Sequence, residues 1–420
     1  NCHIVAVGDT HQCVVDNTEV SCYNKSMIVQ DAFVGDEILT GAGRGETTTA
    51  KIANIFRKQV TDVAVYTVTT QSGKKLTTTP EHIYFAGYTN DQIGEDWHFV
   101  YLMYKEGLGY RVGKTQMGRA SVKSPGYMTR LNQEKGDKLW ILKKCDSDED
   151  ARYWEQYFSV KFGIPTWLFH SGCGRYTSYN DTMIEKLFRS LDTETAADNL
   201  FSALDMAQNY PHHTPKSTSK RRRRNFSITL CADSRYRSLH HYAISGSNEQ
   251  DKIALESAGI KTRKAKGSKG WKIESVSSDL GAIYNLLRDV QSVLEINVIE
   301  KARLGNRALP FTPASHVRPG MKVFSVANDG SVYEDEVVSV KKETYTGTVH
   351  DLNIDRYHNY AANGILTHNS IYGFRGADTD AMPNIIKRLD AKVLPLSITY
   401  RVPQSGVALA NTLVPELEAA

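Results

Sequence analysis

The chain has 420 residues, 40% of them apolar and 23% charged, with 51 Lys plus Arg against 47 Asp plus Glu. Such a length corresponds to roughly two to four domains; with 30 Gly, 12 Pro and no long apolar run, the disordered, collagenous and transmembrane classes are excluded. The six Cys, at positions 2, 13, 22, 145, 173 and 231, form no CxxC pair, which argues against a zinc ribbon and against a disulfide framework.

The N-terminal NCHIVAVGDTHQ has no initiator Met and no basic segment leading into an apolar one. Residue 1 therefore reads as a cut point, and the expected location is cytoplasmic. Across 13–95, Val, Thr and Ile alternate with polar residues between Gly and Asn, the period of two that marks short strands; 310–369 reads the same way. The two stretches echo one another. Phe33-Val34-Gly35-Asp36-Glu37-Ile38-Leu39 resembles Arg318-Pro319-Gly320-Met321-Lys322-Val323-Phe324, and each is followed by a second strand (51–55, 336–340) and a third (65–68, 349–354). This is a weak internal duplication. If both halves form one β-domain, everything between them is an insertion, tolerable because loop entropy grows slowly with length.

The middle is mixed α/β. Helical periodicity predicts helices at 148–162, 182–191, 195–208, 249–258 and 278–294. Strands are expected at 99–103, 140–143, 225–231, 238–245 and 270–275. Tyr210-Pro211-His212-His213-Thr214-Pro215-Lys216-Ser217 reads as a linker that divides the insertion in two; the modules expected within the insertion are 96–170 and 171–309, the second containing the basic linker. Close behind it, Lys220 to Arg224 reads KRRRR, a local concentration of charge in a chain whose net charge is only +4.

The chemistry is concentrated at two junctions. Cys13 opens CVVDNTEVSC, Thr79-Pro80-Glu81-His82 follows, and HNYAANGILTHN (358–369) runs directly into Ser370. On these elements the chain resembles an intein over 13–95 and 310–370. The resemblance implies an all-β Hint horseshoe split into N- and C-terminal parts, and autocatalytic protein splicing without a cofactor. Breaking a peptide bond without water needs a side-chain nucleophile beside the carbonyl, and a thiol suits near neutral pH. By resemblance, Cys13 attacks the carbonyl of Gln12, Ser370 takes over the acyl group, and Asn369 cyclises. His82 protonates the departing nitrogen of Cys13, with Thr79 fixing the oxyanion or the turn. His368 polarises the Asn369 carbonyl, His358 assists, and Asp351 couples the two cleavages. Histidine suits such work because its pKa lies near neutrality.

Joining 1–12 to 370–420 gives VGDTHQSIYGFRGAD followed by LPLSITYR. These resemble motif III and the following motif of UvrD-type superfamily 1 DNA helicases. The resemblance implies that Gln12 senses the γ-phosphate of ATP, Arg401 contacts it, and Phe374, next to Arg375, stacks on single-stranded DNA. ATP and Mg²⁺ would belong to the complete helicase, since the flanks contain no GxxxxGK[ST] phosphate loop. The alternative reading is a helicase whose insertion is a degenerate passenger.

In the insertion, FVYLM (99–103) and YRVGKT (110–115) resemble the GIY-YIG nuclease core, with FVY in place of GIY and Arg111 putting the second Tyr one place early. This implies Tyr101, Tyr110 and Arg130 on phosphate and water, and Glu155 as ligand for Mg²⁺. From 195 to 294 the order helix, strand, strand, helix, strand, strand, helix resembles one LAGLIDADG half without its acidic motif. That part reads as a DNA-binding platform with Arg221 to Arg224, Arg235, Arg237, Lys261, Arg263, Lys264, Lys266 and Lys269 facing phosphates. His212 and His213 read as metal ligands, catalytic groups or plain loop histidines. The expected whole is a multidomain monomer: an all-β Hint horseshoe, an inserted α/β endonuclease-like region, and α/β helicase fragments at both ends. DNA is the expected partner, and no membrane is.

Overall fold

The computed structural model describes residues 12–22, 26–118, 124–173, 180–215, 224–232, 239–265 and 270–369, and the backbone of 398–399 and 418–419. The chain divides into two units, residues 1–9 with 376–420, and residues 10–375. In the first, the described part is a parallel pair of short strands, Ile398–Thr399 and Glu418–Ala419.

The frame of the second unit is a pair of long ribbons. Glu37–Gly43 pairs with the start of the 25-residue strand Glu46–Thr70. Lys322–Val326 pairs with the start of the 23-residue strand Val332–Ile354. The long strands then run antiparallel to each other from Thr70 opposite Val337 to Ile52 opposite Ile354. The turns feeding the ribbons are bonded alike. Gly35 N–H donates to Ile52 O (2.8 Å) and Ile52 N–H to Asp36 O (2.9 Å); Gly320 N–H donates to Val337 O (2.7 Å) and Val337 N–H to Met321 O (2.8 Å). Both turn glycines are left-handed, at φ +96° and +86°, a conformation that penalises a Cβ. The duplication in sequence is thus a duplication of backbone hydrogen bonds.

The segments 51–55 and 65–68, expected as separate strands, belong to one strand, as do 336–340 and 349–354. Mid-ribbon residues are largely exposed, so burial imposes no alternation there and the apolar pattern lapses while the ladder continues. The ladder is irregular between Tyr345 and Gly347, where Asp62 takes φ +52°, as a bulge allows.

The insertion forms two layers against this frame. One is an antiparallel sheet of His98–Lys105, Gly109–Gln116 and Lys138–Cys145, with the first strand in the centre. It carries α1 (Gly126–Gln133) and α2 (Asp148–Phe162). α2 starts where Ser147 Oγ accepts the N–H of Asp150 (3.1 Å) and stops at Gly163, φ +72°, capping by side chain and by left-handed glycine. Next come α3 (Asp181–Arg189) and α4 (Thr193–Ala203). The latter stops short of the predicted 208, because Asp205 turns left-handed (φ +52°) and Met206 N–H folds back to Phe201 O (2.8 Å).

The other layer holds strands Asn225–Leu230, His240–Gly246 and Trp271–Ser277, with α5 (Glu249–Ser257) and α6 (Leu280–Val293). A further strand, Asn297–Ala302, runs parallel to Asn225–Leu230. Its sequence, NVIEKA, is too polar to have announced a strand. The 210–215 segment, read as a linker, is instead fixed: His213 and Leu139 exchange backbone bonds (3.0 and 3.1 Å). His212 Nδ1 accepts from Ile141 N–H (2.8 Å), and its Nε2 donates to His316 O (2.9 Å). Both ring nitrogens of His212 are therefore occupied structurally.

Core packing ties the second layer to the frame. Phe226, Ile228 and Leu230 share one buried cluster with Phe85, Phe311, Phe324 and Leu366. No helix among the described residues is long and apolar enough to cross a membrane. Because the cluster is continuous, Leu230→Ala should remove about 2 to 5 kcal/mol from a single unfolding transition shared by layer and frame. Denaturant titration followed by both circular dichroism and tryptophan fluorescence checks this; two separate transitions, with only one moved, would contradict it.

Candidate active site

Cys13 enters the frame just before Val14–Val15, which pairs with His350 and Val349 of the long C-terminal strand and with Thr78. Its side chain is buried. Cys13 N–H donates to Thr79 Oγ1 (3.0 Å), and Thr79 N–H donates to Cys13 O (3.0 Å), a reciprocal clamp on the residue. The turn that holds Thr79 is itself fixed from the C-terminal part, by Ala314 N–H on His82 O (2.8 Å) and Ser315 N–H on Pro80 O (3.0 Å). Burial pushes the Cys13 thiol well above its ordinary pKa, and the charges of Asp351 and Glu81 add to this while Lys58 opposes it. The resting group is a thiol, so its proton must be removed as it reacts.

His82 begins the strand region Ile83–Gly87 and is fully buried. Thr367 Oγ1 donates to Ile83 O (2.8 Å) and lies 2.5 Å from His82 Nε2. The Thr367 hydroxyl thus bridges the His82 ring and the Ile83 carbonyl. The Gln12 backbone beside the ring favours its charged form, yet burial wins and the pKa falls to about 4. The resemblance put His82 on the departing nitrogen of Cys13; that nitrogen is held by Thr79, and His82 faces the Gln12 side of the link.

The other junction is reached by the same strand. Ile365–His368 lies between Asn359–Ala362 and Ile83–Gly87, pairing Thr367 with both Tyr360 and Tyr84. His368 is buried against Phe311 (ring centroids 4.7 Å) and lowered to about 3 by desolvation, with the Asn369 backbone pulling it back up. Asn369 is fully buried. Its N–H donates to His358 O (3.3 Å). With the amide oriented to accept Ile354 N–H (3.0 Å), its nitrogen donates to His358 O at 2.6 Å. His358 therefore meets Asn369 through its main chain. The residue is left-handed (φ +55°), and its ring is buried and driven down to about 2, first by desolvation and then by His240 and His368.

Asp351 reaches Cys13 and Tyr360 electrostatically and raises both. Two residues absent from the sequence reading belong here. Thr367 joins the two junctions, and Tyr360, fully buried with its hydroxyl unpartnered among the described residues, stands near Cys13 and Asp351. The only hint of either was strand alternation in HNYAANGILTHN. Gln12 is buried; Ser370, Phe374, Arg375 and Arg401 lie outside the described residues.

The nuclease expectation is changed by register. Tyr101 stands opposite Gly113, and Tyr104 opposite Tyr110, so strand alternation places Tyr101 and Tyr110 on opposite faces. Tyr110 packs in a core with Trp140 and Phe201, whereas Arg111 takes the face of Tyr101 and bonds its hydroxyl (3.0 Å). Arg111 and Arg130 both lie on the buried carboxylate of Glu134, at 3.0 and 3.1 Å. Arg111, Lys114, Arg130, Asp148 and Glu155 line a cleft of about 530 Å³. Burial raises the Glu155 carboxyl while Arg111 and Lys114 counter it. Two carboxylates among three cations, Asp148 being paired with Lys114, do not suit Mg²⁺, which seeks several oxygen ligands, and the described residues contain no cluster of three His, Cys, Asp or Glu side chains able to hold a metal. Among the expected phosphate contacts, Arg224 is held bidentately by Asp251 (2.8 and 2.8 Å). Lys261, Arg263 and Lys264 are exposed, and Arg221, Arg222, Arg223, Arg235, Arg237, Lys266 and Lys269 lie outside the described residues.

Residues 7–369 match the family model of the intein splicing domain. No curated protein sequence matches the chain. Solved structures similar to it include the DnaB intein from Synechocystis sp. PCC 6803 (9% identity, 86% of this chain and 99% of that one, TM-score 0.27). The PabCDC21-1 intein (10%, 86% and 100%, 0.27) and the TvoVMA intein (8%, 85% and 98%, 0.27) are others. With superpositions this loose, the family model carries the assignment.

The buried histidines His82, His240, His316, His358 and His368 and the half-buried His212 all lie below the ordinary value because desolvation disfavours their charge. Their folded pKa values are depressed, so the unfolded chain takes up protons first as pH falls below about 6.5. Stability is complete above that pH and is lost on acidification toward the folded values. Each histidine removes about 1 kcal/mol per pH unit in that window. The midpoint temperature of the Cys13→Ala, Asn369→Ala chain should fall steeply from pH 7 to pH 5; a flat profile would contradict neutral burial.

Proposed function

The chain belongs to the intein splicing domain family, and on that premise we propose that it excises residues 13–369 and joins Gln12 to Ser370. Cys13 Sγ attacks the Gln12 carbonyl carbon; the Gln12–Cys13 C–N bond breaks, and the thiol proton ends on the freed amine of Cys13. Ser370 Oγ then displaces the sulfur, giving a branched ester and restoring the thiol. Asn369 Nδ2 attacks its own carbonyl carbon, the Asn369–Ser370 bond breaks with a proton passing to the Ser370 nitrogen, and a succinimide leaves. An O-to-N acyl shift completes the ligation.

The observation that carries this reading is the strand Ile365–His368, which sets Thr367 on His82 and His368 beside Asn369. Proton carriers for both cleavages thus stand on neighbouring strands. Thr79 holds the Cys13 nitrogen that becomes the leaving amine. His82 stands beside the Gln12 backbone, and Asp351 is the carboxylate within electrostatic reach of the thiol. Every step is intramolecular, and positioning of this kind supplies about 7 to 11 kcal/mol of barrier reduction, so no cofactor is needed. Intact-mass measurement after expression should find the excised 13–369 piece and a ligated flank. Cys13→Ala with Asn369→Ala should keep the chain whole, and an unchanged product pattern would refute these roles.

The ligated flanks carry the resemblance to UvrD-type helicase motif III, so splicing would restore Gln12, Phe374, Arg375 and Arg401 to an ATP- and DNA-dependent enzyme. That host, and the monomeric state, rest on sequence alone. The alternative of a helicase with a degenerate passenger has no support in the family match.

A second reading concerns the cleft. Arg111, Lys114 and Arg130 line it beside Asp148 and Glu155, a lining of N–H donors that suits a phosphate backbone better than a metal, with Glu134 holding Arg111 and Arg130 in place behind it. The insertion would then bind DNA through this cleft and its exposed basic edge. Lys114→Ala with Arg130→Ala should weaken duplex binding uniformly across sequences and reduce the salt slope by about 1 to 2. Fluorescence anisotropy against salt concentration measures both; unchanged affinity and slope would remove the cleft from DNA binding.

A further inference from the structure

The turn that carries His358 is strained and is held from outside the splicing frame. Arg356 and His358 take φ of +65° and +55°, left-handed values that each cost a non-glycine residue energy unless the surroundings impose them. From one side Asn359 fastens the turn's end: its Oδ1 accepts Gly41 N–H (2.7 Å) and its Nδ2 donates to Gly41 O (3.1 Å). From the other side the contact comes from the inserted layer. His240, the first residue of strand His240–Gly246, is fully buried. Its Nδ1 accepts the N–H of Cys231 (3.3 Å), so in the neutral ring the proton sits on Nε2. Nε2 faces Arg356 O at 3.4 Å. The His240 and His358 rings lie 6.1 Å apart.

Cys231 is itself braced against the N-terminal ribbon. It is left-handed (φ +53°), and its carbonyl lies so close to Gly43 that a Cβ there would meet it at 3.0 Å. A continuous path therefore runs from Gly43 through Cys231, His240 and Arg356 to the His358 carbonyl that receives both amides of Asn369.

We propose that His240, supplied by the insertion, is a positioning residue for cleavage at Asn369: its Nε2–H fixes the Arg356–His358 turn, and the turn's carbonyl holds the Asn369 amide in place. His240 touches no reacting atom. The inference rests on the splicing reading and adds that the insertion completes the C-terminal half of the site.

Two near-isosteric variants separate the roles of the ring's nitrogens. His240→Asn keeps an acceptor for Cys231 and loses the donor to Arg356; His240→Gln can place a donor where Nε2 stands. Each is made in two backgrounds, Cys13→Ala to isolate cleavage at Asn369, and Asn369→Ala to isolate thiol-induced cleavage before Cys13. His240→Asn should slow cleavage at Asn369 by about tenfold or more relative to the N-terminal reaction, and His240→Gln should recover most of that ratio. Equal slowing of both reactions, no slowing, or no recovery with Gln would overturn the proposal. If the Cys13→Ala chain with His240 intact shows no cleavage at Asn369, the splicing reading fails instead, and the two failures are told apart.

Discussion

The four-residue strand Ile365–His368 carries the hydrogen bond on which the site depends, between His82 Nε2 and the Thr367 hydroxyl. The same hydroxyl reaches Ile83 O. The ring of His82 is therefore held by the C-terminal end of the chain while it lies beside the Gln12 backbone. Two links separated by most of the sequence thus share one hydrogen-bonded contact. The groups at each end are oriented by segments contributed by the other.

Deep burial follows from the same arrangement. Water at either junction would compete with side-chain nucleophiles for the acyl group, and a dry site requires that titratable groups enter neutral. Cys13 is accordingly a thiol and the histidines are uncharged. Charge then has to be created during reaction, which gives weight to whatever can share it: Asp351 near the thiol, the backbone of Gln12 beside His82, and that of Asn369 beside His368. Acid sensitivity of the fold and inertness of the resting site have one cause.

The sequence reading of the junctions rests on chemistry that restricts residue type, a thiol at the start, an amide at the end and imidazoles beside each, and the fold buries Cys13, His82, His368 and Asn369. The ribbons were legible as strands, though not as two continuous ones, since exposed mid-ribbon positions lose the alternation that burial imposes. Thr367 and Tyr360 were not, because Thr and Tyr are ordinary strand residues and only the fold brings them to His82 and to Cys13 and Asp351. Arg111 marked a one-residue slip in the sequence, and strand alternation turns that slip into opposite faces for Tyr101 and Tyr110. Glu155 and Arg130 do share a cleft, but its remaining lining could be read only from the fold.

His240 stands furthest from what a sequence can disclose, since its partner Arg356 is 116 positions away in a different structural layer. An insertion that only interrupted the frame would meet it through its two connecting segments. This one contributes Phe226, Ile228 and Leu230 to the core beneath Leu366, and Leu366 lies in the strand that presents Thr367 and His368. Leu366 and His368 share one face of that strand, and His368 packs on Phe311 of the same cluster. Packing from the inserted layer thus reaches the residue next to Asn369, so frame and insertion share one core.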